Sequence, residues 1–256
     1  MSKIKKTFEN GKAFIPFITG GDPNIETTEK LIYAMEKAGA DLIEIGIPFS
    51  DPAAEGPVIQ LANERALLAG TTTDDLFDMI KRVREKSNIP LVFLTYYNPV
   101  YTYGVKRFLE KCKEVEVDGI IVPDLPYEEK DELAIQCKDC GVDFIPLIAP
   151  TSNDRISMIA KESEGFIYCV SSLGVTGIRD DIKTDISTMV NRAKAVSDTP
   201  CAIGFGIATP EQAKELSHLA DGVIVGSAIV KIIEEKGEQA VDSVFDYVKK
   251  MKDSIR

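Results

Sequence analysis

The side chains best suited to acid–base chemistry are acids in and just after one apolar segment. Glu44 stands inside the run 42–47, whose other members are Leu, Ile and Gly, and Asp51 and Glu55 follow on a proline-containing loop. A carboxylate is costly to bury among such residues. Glu44 must therefore be paired, face a polar cavity or keep its proton through a raised pKa. The pattern predicts an acid–base site; the alternative is a salt-bridged, inward-facing Glu44 beside a merely solvated loop.

Few other side chains could carry this chemistry. His218 is the single histidine and lies at the expected end of a helix, which argues against Ser–His or Cys–His nucleophile pairs and histidine-rich metal sites. The five cysteines are an odd number without a secretory signal, as expected of reduced thiols. Cys137 and Cys140 form a lone C-x-x-C, which we interpret as two ordinary helix cysteines rather than a redox or zinc site. Acid–base work falls to carboxylates, tyrosines or lysines.

Charge and hydropathy narrow the class of partner. The 256 residues carry a formal net charge of −11 and have a pI near 4.8, so we expect no binding of nucleic acid or of an anionic membrane. No apolar run approaches transmembrane length, and the basic N-terminus lacks the apolar segment of a signal peptide. We therefore expect a soluble, cytoplasmic protein. An anionic substrate would have to be bound by local backbone amides rather than by the overall field.

Eight short apolar runs alternate with helical patterns along the chain. The predicted strands are 14–19, 42–47, 90–96, 119–122, 142–148, 165–170, 200–204 and 222–225. Their near-continuous apolar character is typical of parallel strands covered on both faces. This number of β–α units in a chain of this length predicts a single-domain (β/α)8 TIM barrel over residues 1–256, with extra short helices. A doubly wound sheet is the alternative, and the strand count disfavours it.

Sequence patterns typical of helices lie between the predicted strands. Helical spacing ends at Gly39 and recurs over 59–68, 76–83, 105–112, 128–140, 182–196 and 241–251, and Thr209-Pro210 and Gly226-Ser227 each open a helix. We expect Thr151 or Ser152 to cap the helix after the fifth strand, and Tyr97-Asn98-Pro99 to end the third strand.

In a TIM barrel the active site lies at the carboxyl ends of the strands. Glu44, the loop 48–57, Tyr96, Asn98, Asp124, Tyr168 and the loop 171–180 are all predicted to lie there. Glycines at the ends of the last three strands form a second group: Gly174, Gly177, Gly204, Gly206 and Gly226, the last followed by Ser227. Glycine lets the backbone approach a ligand closely, and amides at a helix start attract anions without a Lys or Arg. The pattern predicts a phosphate site.

Several motifs resemble those of one known family. They are Phe17-Ile18-Thr19-Gly20-Gly21-Asp22-Pro23, Glu44-x-Gly46-x-Pro48-Phe49-Ser50-Asp51-Pro52, Gly56-Pro57-x-Ile59-Gln60, Gly174-Val175-Thr176-Gly177, Gly204-Phe205-Gly206-Ile207 and Gly226-Ser227-Ala228. In order and spacing, from about residue 10 to 250, they closely resemble the α subunit of tryptophan synthase. The resemblance implies retro-aldol cleavage of indole-3-glycerol phosphate to indole and glyceraldehyde 3-phosphate, with no metal or organic cofactor.

The same resemblance implies roles for individual residues. Glu44 would be the acid–base catalyst, and Glu55 the second carboxylate at the indole N–H. Residues of the phosphate and mobile-loop region would be Thr176, Gly177, Phe205, Gly206, Gly226 and Ser227. The indole pocket would be lined by Phe17, Leu94, Tyr96, Leu125 and Tyr168. Pro48, Asp51 and Asn98 would face a pyridoxal-phosphate-bearing β subunit in an α2β2 heterotetramer, which takes up the indole.

One residue departs from the family pattern. The family usually has Asp where this chain has Glu55, and the extra methylene would move the carboxylate by roughly an ångström, enough to cost about a hundredfold in rate. Either the loop compensates, or the lyase is weak and mainly activates its β partner. A different phosphate-binding barrel, such as a sugar-phosphate aldolase or isomerase, is a further alternative. The predicted strands hold no lysine for a Schiff base, and a metal-dependent aldolase would need histidines.

Overall fold

The computed structural model describes residues 2–152, 154–170, 180–204 and 206–256, with side chains from 180 to 184 left aside. The described residues contain nine parallel strands: β1 (Ala13–Thr19), β2 (Ile43–Gly46), β3 (Leu91–Leu94), β4 (Gly119–Ile121), β5 (Asp143–Phe144), β6 (Leu147–Ile148), β7 (Ile167–Val170), β8 (Cys201–Gly204) and β9 (Gly222–Val225). They form one sheet in the order β5-β4-β3-β2-β1-β9-β8-β7-β6.

The two ends of this order are consecutive pieces of one strand. β5 pairs with β4 and β6 pairs with β7, so the segment 143–148 joins both edges and closes the barrel. The prediction of an unbroken strand over 142–148 is therefore wrong. Pro146 stands between the two pieces and has no N–H to donate to a ladder, although its carbonyl still accepts a hydrogen bond from the Tyr168 N–H at 2.9 Å. The (β/α)8 barrel itself is confirmed.

Helices cover the outside of the barrel. They are α1 (Lys3–Lys6), α2 (Ile25–Ala38), α3 (Pro57–Leu68), α4 (Thr73–Arg84), α5 (Tyr97–Tyr103), α6 (Val105–Glu114), α7 (Asp131–Cys140), α8 (Arg155–Lys161), α9 (Asp180–Lys194), α10 (Pro210–Ser217), α11 (Ser227–Lys236) and α12 (Val241–Ser254), with short 3₁₀ turns at Tyr127–Glu129, Pro150–Ser152 and Gly237–Ala240.

Local signals explain most of these boundaries, and three expectations need correction. Thr209 and Gln212 form the expected capping box at the start of α10. In contrast, Thr151 and Ser152 cap no helix: they lie in a 3₁₀ turn, and α8 begins after Asp154. Residues 97–99 start helix α5 rather than merely ending a strand. The third correction is an addition: helix α1 lies in the N-terminal stretch, to which the sequence patterns assigned no element.

Alternation along the strands separates two apolar layers. Ile43 and Ile45 of β2 belong to the layer between the sheet and the helices. Leu42, by contrast, packs inside the barrel with Val92 and neighbouring interior residues. Successive side chains of a strand point to opposite faces, so Glu44 points into the barrel with Leu42. The alternation along this strand thus places its one charged side chain, Glu44, inside the barrel.

Aspartates close the amino-terminal end of the barrel by a repeated contact. An aspartate just before one strand accepts a hydrogen bond from an N–H at the start of a neighbouring strand: Asp41 from Phe14 at 2.7 Å, Asp118 from Leu91 at 2.9 Å and Asp221 from Cys201 at 2.9 Å. Each aspartate also pairs with a cation: Asp41 with Lys252, Asp118 with Arg84 and Asp221 with Lys194. These contacts satisfy strand-end amides that would otherwise be buried without a partner.

We expect Asp118→Ala to lower the free energy of unfolding by about 3–5 kcal/mol, because it leaves a buried Arg84 guanidinium without its anion. The two side chains are 8% and 10% exposed, and burial raises the pKa of Asp118 despite Arg84, so the pair is maintained at a desolvation cost. Urea denaturation provides the measurement. As the matched control, Lys106→Ala breaks the exposed pair with Glu110 and should change stability by less than about 1 kcal/mol. Equal losses in both variants would contradict the prediction.

Candidate active site

Glu44 is buried inside the barrel and has no partner in the part of the chain that the structure describes. Its Cα pairs in register with Phe17 of β1 on one side and Val92 of β3 on the other. The side chain has no exposed surface, and neither carboxylate oxygen has a hydrogen-bond partner among the described residues. Desolvation alone raises the pKa of Glu44 to about 8. The salt-bridged alternative is therefore wrong for the part of the chain that the structure describes, and Glu44 retains a proton at neutral pH.

Glu55 lies on the loop after β2 and is tied to helix α3. The Asn63 amide donates a hydrogen bond to Glu55 Oε2 at 2.6 Å, and the Gln60 amide donates one to the Glu55 carbonyl at 2.8 Å. Burial raises the pKa of the Glu55 carboxyl, and the hydrogen bond from Asn63 opposes that rise. Glu55 is thus a half-buried acid in a defined position, in contrast with the unpaired Glu44.

A cavity of about 220 Å³ opens beside these acids at the carboxyl ends of the strands. Its lining comes from β1, β3, β7, β8 and β9, from the loops that follow β2, β8 and β9, and from the starts of helices α3 and α11: Phe17, Ala54, Glu55, Gly56, Ile59, Leu94, Tyr168, Gly204, Gly206, Ile224, Gly226 and Ser227. Glu44 does not line the cavity but is the β-sheet neighbour of Phe17. Burial, and then the charge of Glu44, raise the pKa of Tyr168, which places the buried acid close to the cavity wall.

Backbone groups form the other side of the cavity. Helix α11 starts at Ser227 behind Gly226, and both residues line the cavity. Gly206 has a φ of +54°, a left-handed conformation that favours glycine. A Cβ on Gly204 would lie 2.5 Å from the Tyr168 hydroxyl, so a larger residue would displace that ring. No Lys or Arg is among the described residues that line the cavity. Amides at a helix start suit an anion under these conditions.

Two of the predicted pocket residues are not among the described residues that line this cavity. Leu125 lines a different cavity of about 350 Å³ between α7 and α8. Tyr96 is buried, and its hydroxyl accepts a hydrogen bond from the Ala54 N–H at 3.0 Å, so it supports the loop that carries Glu55. Of the predicted partner-facing residues, Asp51 and Asn98 are exposed and Pro48 is partly buried. Thr176, Gly177 and Phe205 lie outside the described residues.

Sequence reasoning missed Asn63, which holds the second acid. The signal was present: Asn63 lies on the apolar stripe of α3 with Ile59, Ala62 and Ala66, and all four are buried. A polar residue on a buried stripe needs a hydrogen-bond partner. Spacing along the chain does not show that this partner is the carboxylate eight positions earlier.

Other kinds of site have no support in the described ranges. Over residues 2–152, 154–170, 180–204 and 206–256, no group of three or more His, Cys, Asp or Glu side chains is arranged to hold a metal ion. Within the same ranges, no helix is long and apolar enough to cross a membrane. Cys137 and Cys140 lie on α7, and both are free thiols.

Fold and site together define a (β/α)8 barrel with a proton-carrying acid and a small cavity at the carboxyl ends of its strands. The family model described as "Tryptophan synthase alpha chain" matches residues 2–256. The chain belongs to the tryptophan synthase alpha chain family, a family of lyases in tryptophan biosynthesis.

Individual relatives are similar to this chain over all or nearly all of its length. The tryptophan synthase alpha chain of Lacticaseibacillus casei is 47% identical, with 100% of this chain and 96% of that protein covered. Among solved structures, the alpha subunit from Legionella pneumophila str. Paris superposes with a TM-score of 0.90 at 37% identity, covering 100% and 98% of the two chains. A chain of the tryptophan synthase α2β2 complex from Pyrococcus furiosus superposes with a TM-score of 0.88 at 38% identity, covering 95% and 99%.

The buried Glu44 carboxyl should make stability depend on pH. Between the ordinary pKa of 4.5 and about 8, the unfolded chain loses this proton while the folded chain keeps it. The Glu44 contribution therefore falls as pH rises through this window and is constant above it. Compared with the wild type, Glu44→Gln should gain stability progressively over the window, by on the order of 5 kcal/mol at about 1.4 kcal/mol per pKa unit.

Urea unfolding of wild type and Glu44→Gln at pH 5, 7 and 9 measures this difference. Glu110→Gln, a change at an exposed surface acid, is the control and should give a nearly pH-independent difference. A Glu44→Gln difference that stays constant from pH 5 to 9 would show that Glu44 titrates normally.

Proposed function

We propose that the protein cleaves indole-3-glycerol phosphate to indole and glyceraldehyde 3-phosphate. The observation that carries the proposal is the fully buried Glu44 carboxyl, unpaired among the described residues, whose pKa is raised to about 8. A group with a pKa near the working pH can both give and take a proton. Membership of the tryptophan synthase alpha chain family supplies the reaction to which this group would be applied.

The reaction needs two proton transfers at neighbouring atoms. Protonated Glu44 would give its proton to C3 of the indole ring, which leaves positive charge on the ring nitrogen. The Glu44 carboxylate would then take the proton of the hydroxyl on the adjacent glycerol carbon. As that oxygen forms the aldehyde, the carbon–carbon bond to C3 breaks and its electron pair returns to the ring. Indole and glyceraldehyde 3-phosphate are released, and Glu44 ends with its proton restored.

The remaining lining residues fit the two ends of this substrate. Glu55 would accept a hydrogen bond from the indole N–H and stabilise the charge that develops there. Phe17, Leu94 and Tyr168 give the cavity apolar walls for a flat ring. The phosphate would bind the backbone at Gly206, Gly226 and Ser227. Thr176, Gly177 and Phe205 are further predicted contacts of the phosphate. Tyr96 and Leu125 are further predicted contacts of the indole ring. The electrons come from the substrate itself, so no cofactor is required.

We also propose that the protein works in the cytoplasm with a β subunit, as an α2β2 heterotetramer. The superposable Pyrococcus furiosus chain belongs to such a complex. Pro48, Asp51 and Asn98 are the predicted partner-facing residues. Next to them, a groove is lined by the loop residues Phe49, Ser50 and Pro52 and by α3 residues that include Leu61, Leu67 and Leu68. These leucines are 46%, 38% and 80% exposed, and exposed apolar clusters of this kind favour a protein partner.

No observation favours the alternative of a weakly active subunit that only activates its partner. That alternative depended on the longer side chain of Glu55. Glu55 nevertheless lines the cavity, and its carboxylate accepts a short hydrogen bond from Asn63; both observations support a role for Glu55 in the site despite the extra methylene.

Steady-state cleavage of indole-3-glycerol phosphate, with and without a β subunit, tests the proposed reaction. Glu44→Gln should lower kcat by about 10²–10⁴-fold or more, because an amide can neither donate nor accept the transferred proton in this way. Glu110→Gln, on the surface of α6, is the control and should match wild type. If wild type fails to cleave the substrate in either setting, the proposed reaction is wrong; if it then still accelerates the β reaction, the regulatory alternative holds.

From the groove next to the predicted partner-facing residues we make a separate prediction about assembly with the β subunit. Leu68→Glu should weaken binding of the β subunit by about tenfold or more, because it places a charge in an apolar contact. Isothermal titration calorimetry measures this affinity. Met158→Glu is the matched control, since Met158 is 52% exposed on α8 and does not line the groove. Equal affinities for Leu68→Glu and wild type would show that the partner does not use this groove.

A further inference from the structure

We propose that Asn63 is the positioning residue for Glu55, and that the lengths of these two side chains are matched to each other. The inference rests on the proposed function, in which Glu55 accepts the indole N–H. It identifies a residue to which no role has been assigned, and it explains how a glutamate can serve at position 55.

The contact between the two side chains is short and protected from water. Asn63 Nδ2 lies 2.6 Å from Glu55 Oε2, and Asn63 is 3% exposed. The donated hydrogen bond favours the ionised carboxylate and opposes the desolvation that raises the pKa of Glu55. Asn63 therefore does two things for Glu55: it fixes where the carboxylate lies, and it helps to keep it charged.

Asn63 itself stands on a firmly anchored helix. Two residues further along α3, the Arg65 guanidinium donates two hydrogen bonds of 2.8 Å to the carboxylate of Asp22, in the loop after β1. Asp22 is 1% exposed, and Arg65 also pairs with Glu234 of α11. A bidentate pair of this kind fixes orientation as well as distance. Asn63 is thus held by the barrel and not by the loop it supports.

The backbone around Glu55 is fixed from two sides. The Gln60 amide binds the Glu55 carbonyl at 2.8 Å, and the Ala54 N–H donates to the Tyr96 hydroxyl at 3.0 Å. With the backbone at 54–55 held this way, the length of the side chain at position 55 decides where its carboxylate lies. An aspartate there would withdraw the carboxylate by about one carbon–carbon bond, ~1.5 Å. From 2.6 Å, the gap to Asn63 would then exceed hydrogen-bonding distance.

The matched lengths predict compensation between the two positions. Glu55→Asp alone should lower kcat by about a hundredfold, the scale expected of an ångström-sized misplacement. Asn63→Gln alone should also lower kcat, since it pushes the Glu55 carboxylate out of place. The double variant Glu55→Asp with Asn63→Gln moves one methylene from one side chain to the other, so the longer amide again reaches the shorter carboxylate and favours its ionised form, and the variant should recover part of the loss. Rescue by a second change is a result that a merely structural role for Asn63 would not produce.

A second readout does not depend on catalysis. Carbon-13 NMR titration of the Glu55 carboxyl should show its pKa rising in Asn63→Leu and Asn63→Ala, because both remove the donor to the ionised form. Leu61→Ala is the matched control: Leu61 lies on the same helix and is 46% exposed, so the carboxyl pKa should stay as in wild type. Urea unfolding of each variant confirms that the folded protein is being titrated.

The outcomes separate the two proposals. An unchanged Glu55 pKa in both Asn63 variants, a Glu55→Asp variant as fast as wild type, or a double variant no faster than the slower single variant would each overturn the inference while leaving the Glu44 reaction in place. If wild type does not cleave indole-3-glycerol phosphate, the proposed function fails, and the pKa measurements still decide whether Asn63 controls Glu55.

Discussion

The burial of one carboxyl group is the constraint on which the site depends. A closed parallel barrel covers its strands on both faces, and the interior position of Glu44 removes its side chain from water completely. No described neighbour replaces the lost hydration with a hydrogen bond. The protonated, neutral form of Glu44 costs less free energy to bury than the carboxylate, so the pKa of Glu44 rises to about 8. The same unfavourable burial that costs stability at high pH produces an acid that is ready to act at neutral pH.

The acidic side chains at the two ends of the barrel differ in how many partners they have. At the amino-terminal end, Asp41, Asp118 and Asp221 each bind a strand amide and a cation. These contacts join neighbouring strands. At the carboxyl end, Glu44 has no described partner, and Glu55 has one amide. Satisfied acids are suited to stabilising the fold, whereas under-satisfied acids are suited to reacting with a ligand. This division follows the general separation of stability and activity between the two ends of such barrels.

The net charge of −11 imposes a second condition on a site for a phosphate. A net negative charge of this size repels anions, and the described cavity lining offers no Lys or Arg to offset this. The start of α11 and the glycine-containing backbone before it offer oriented amides instead. Their effect is local, because helix-end charges act mainly within the first turn. A site of this kind binds an anion at one place without turning the protein into a general anion-binding surface.

The sequence by itself determined the architecture and the identity of the main acid. Eight apolar runs separated by helical patterns are enough to specify a (β/α)8 barrel, because covering both faces of parallel strands leaves few other arrangements. Glu44 was recognisable because a lone charge in an apolar strand needs an explanation in any fold. Tertiary structure alone decided the rest. The division of strand 142–148 depends on how its two halves meet different neighbours. The position of Leu125 at a second cavity and the pairing of Asn63 with Glu55 depend on distances in space. A sequence pattern reports which face a residue takes, but side-chain contacts depend on how packed elements bring distant positions together.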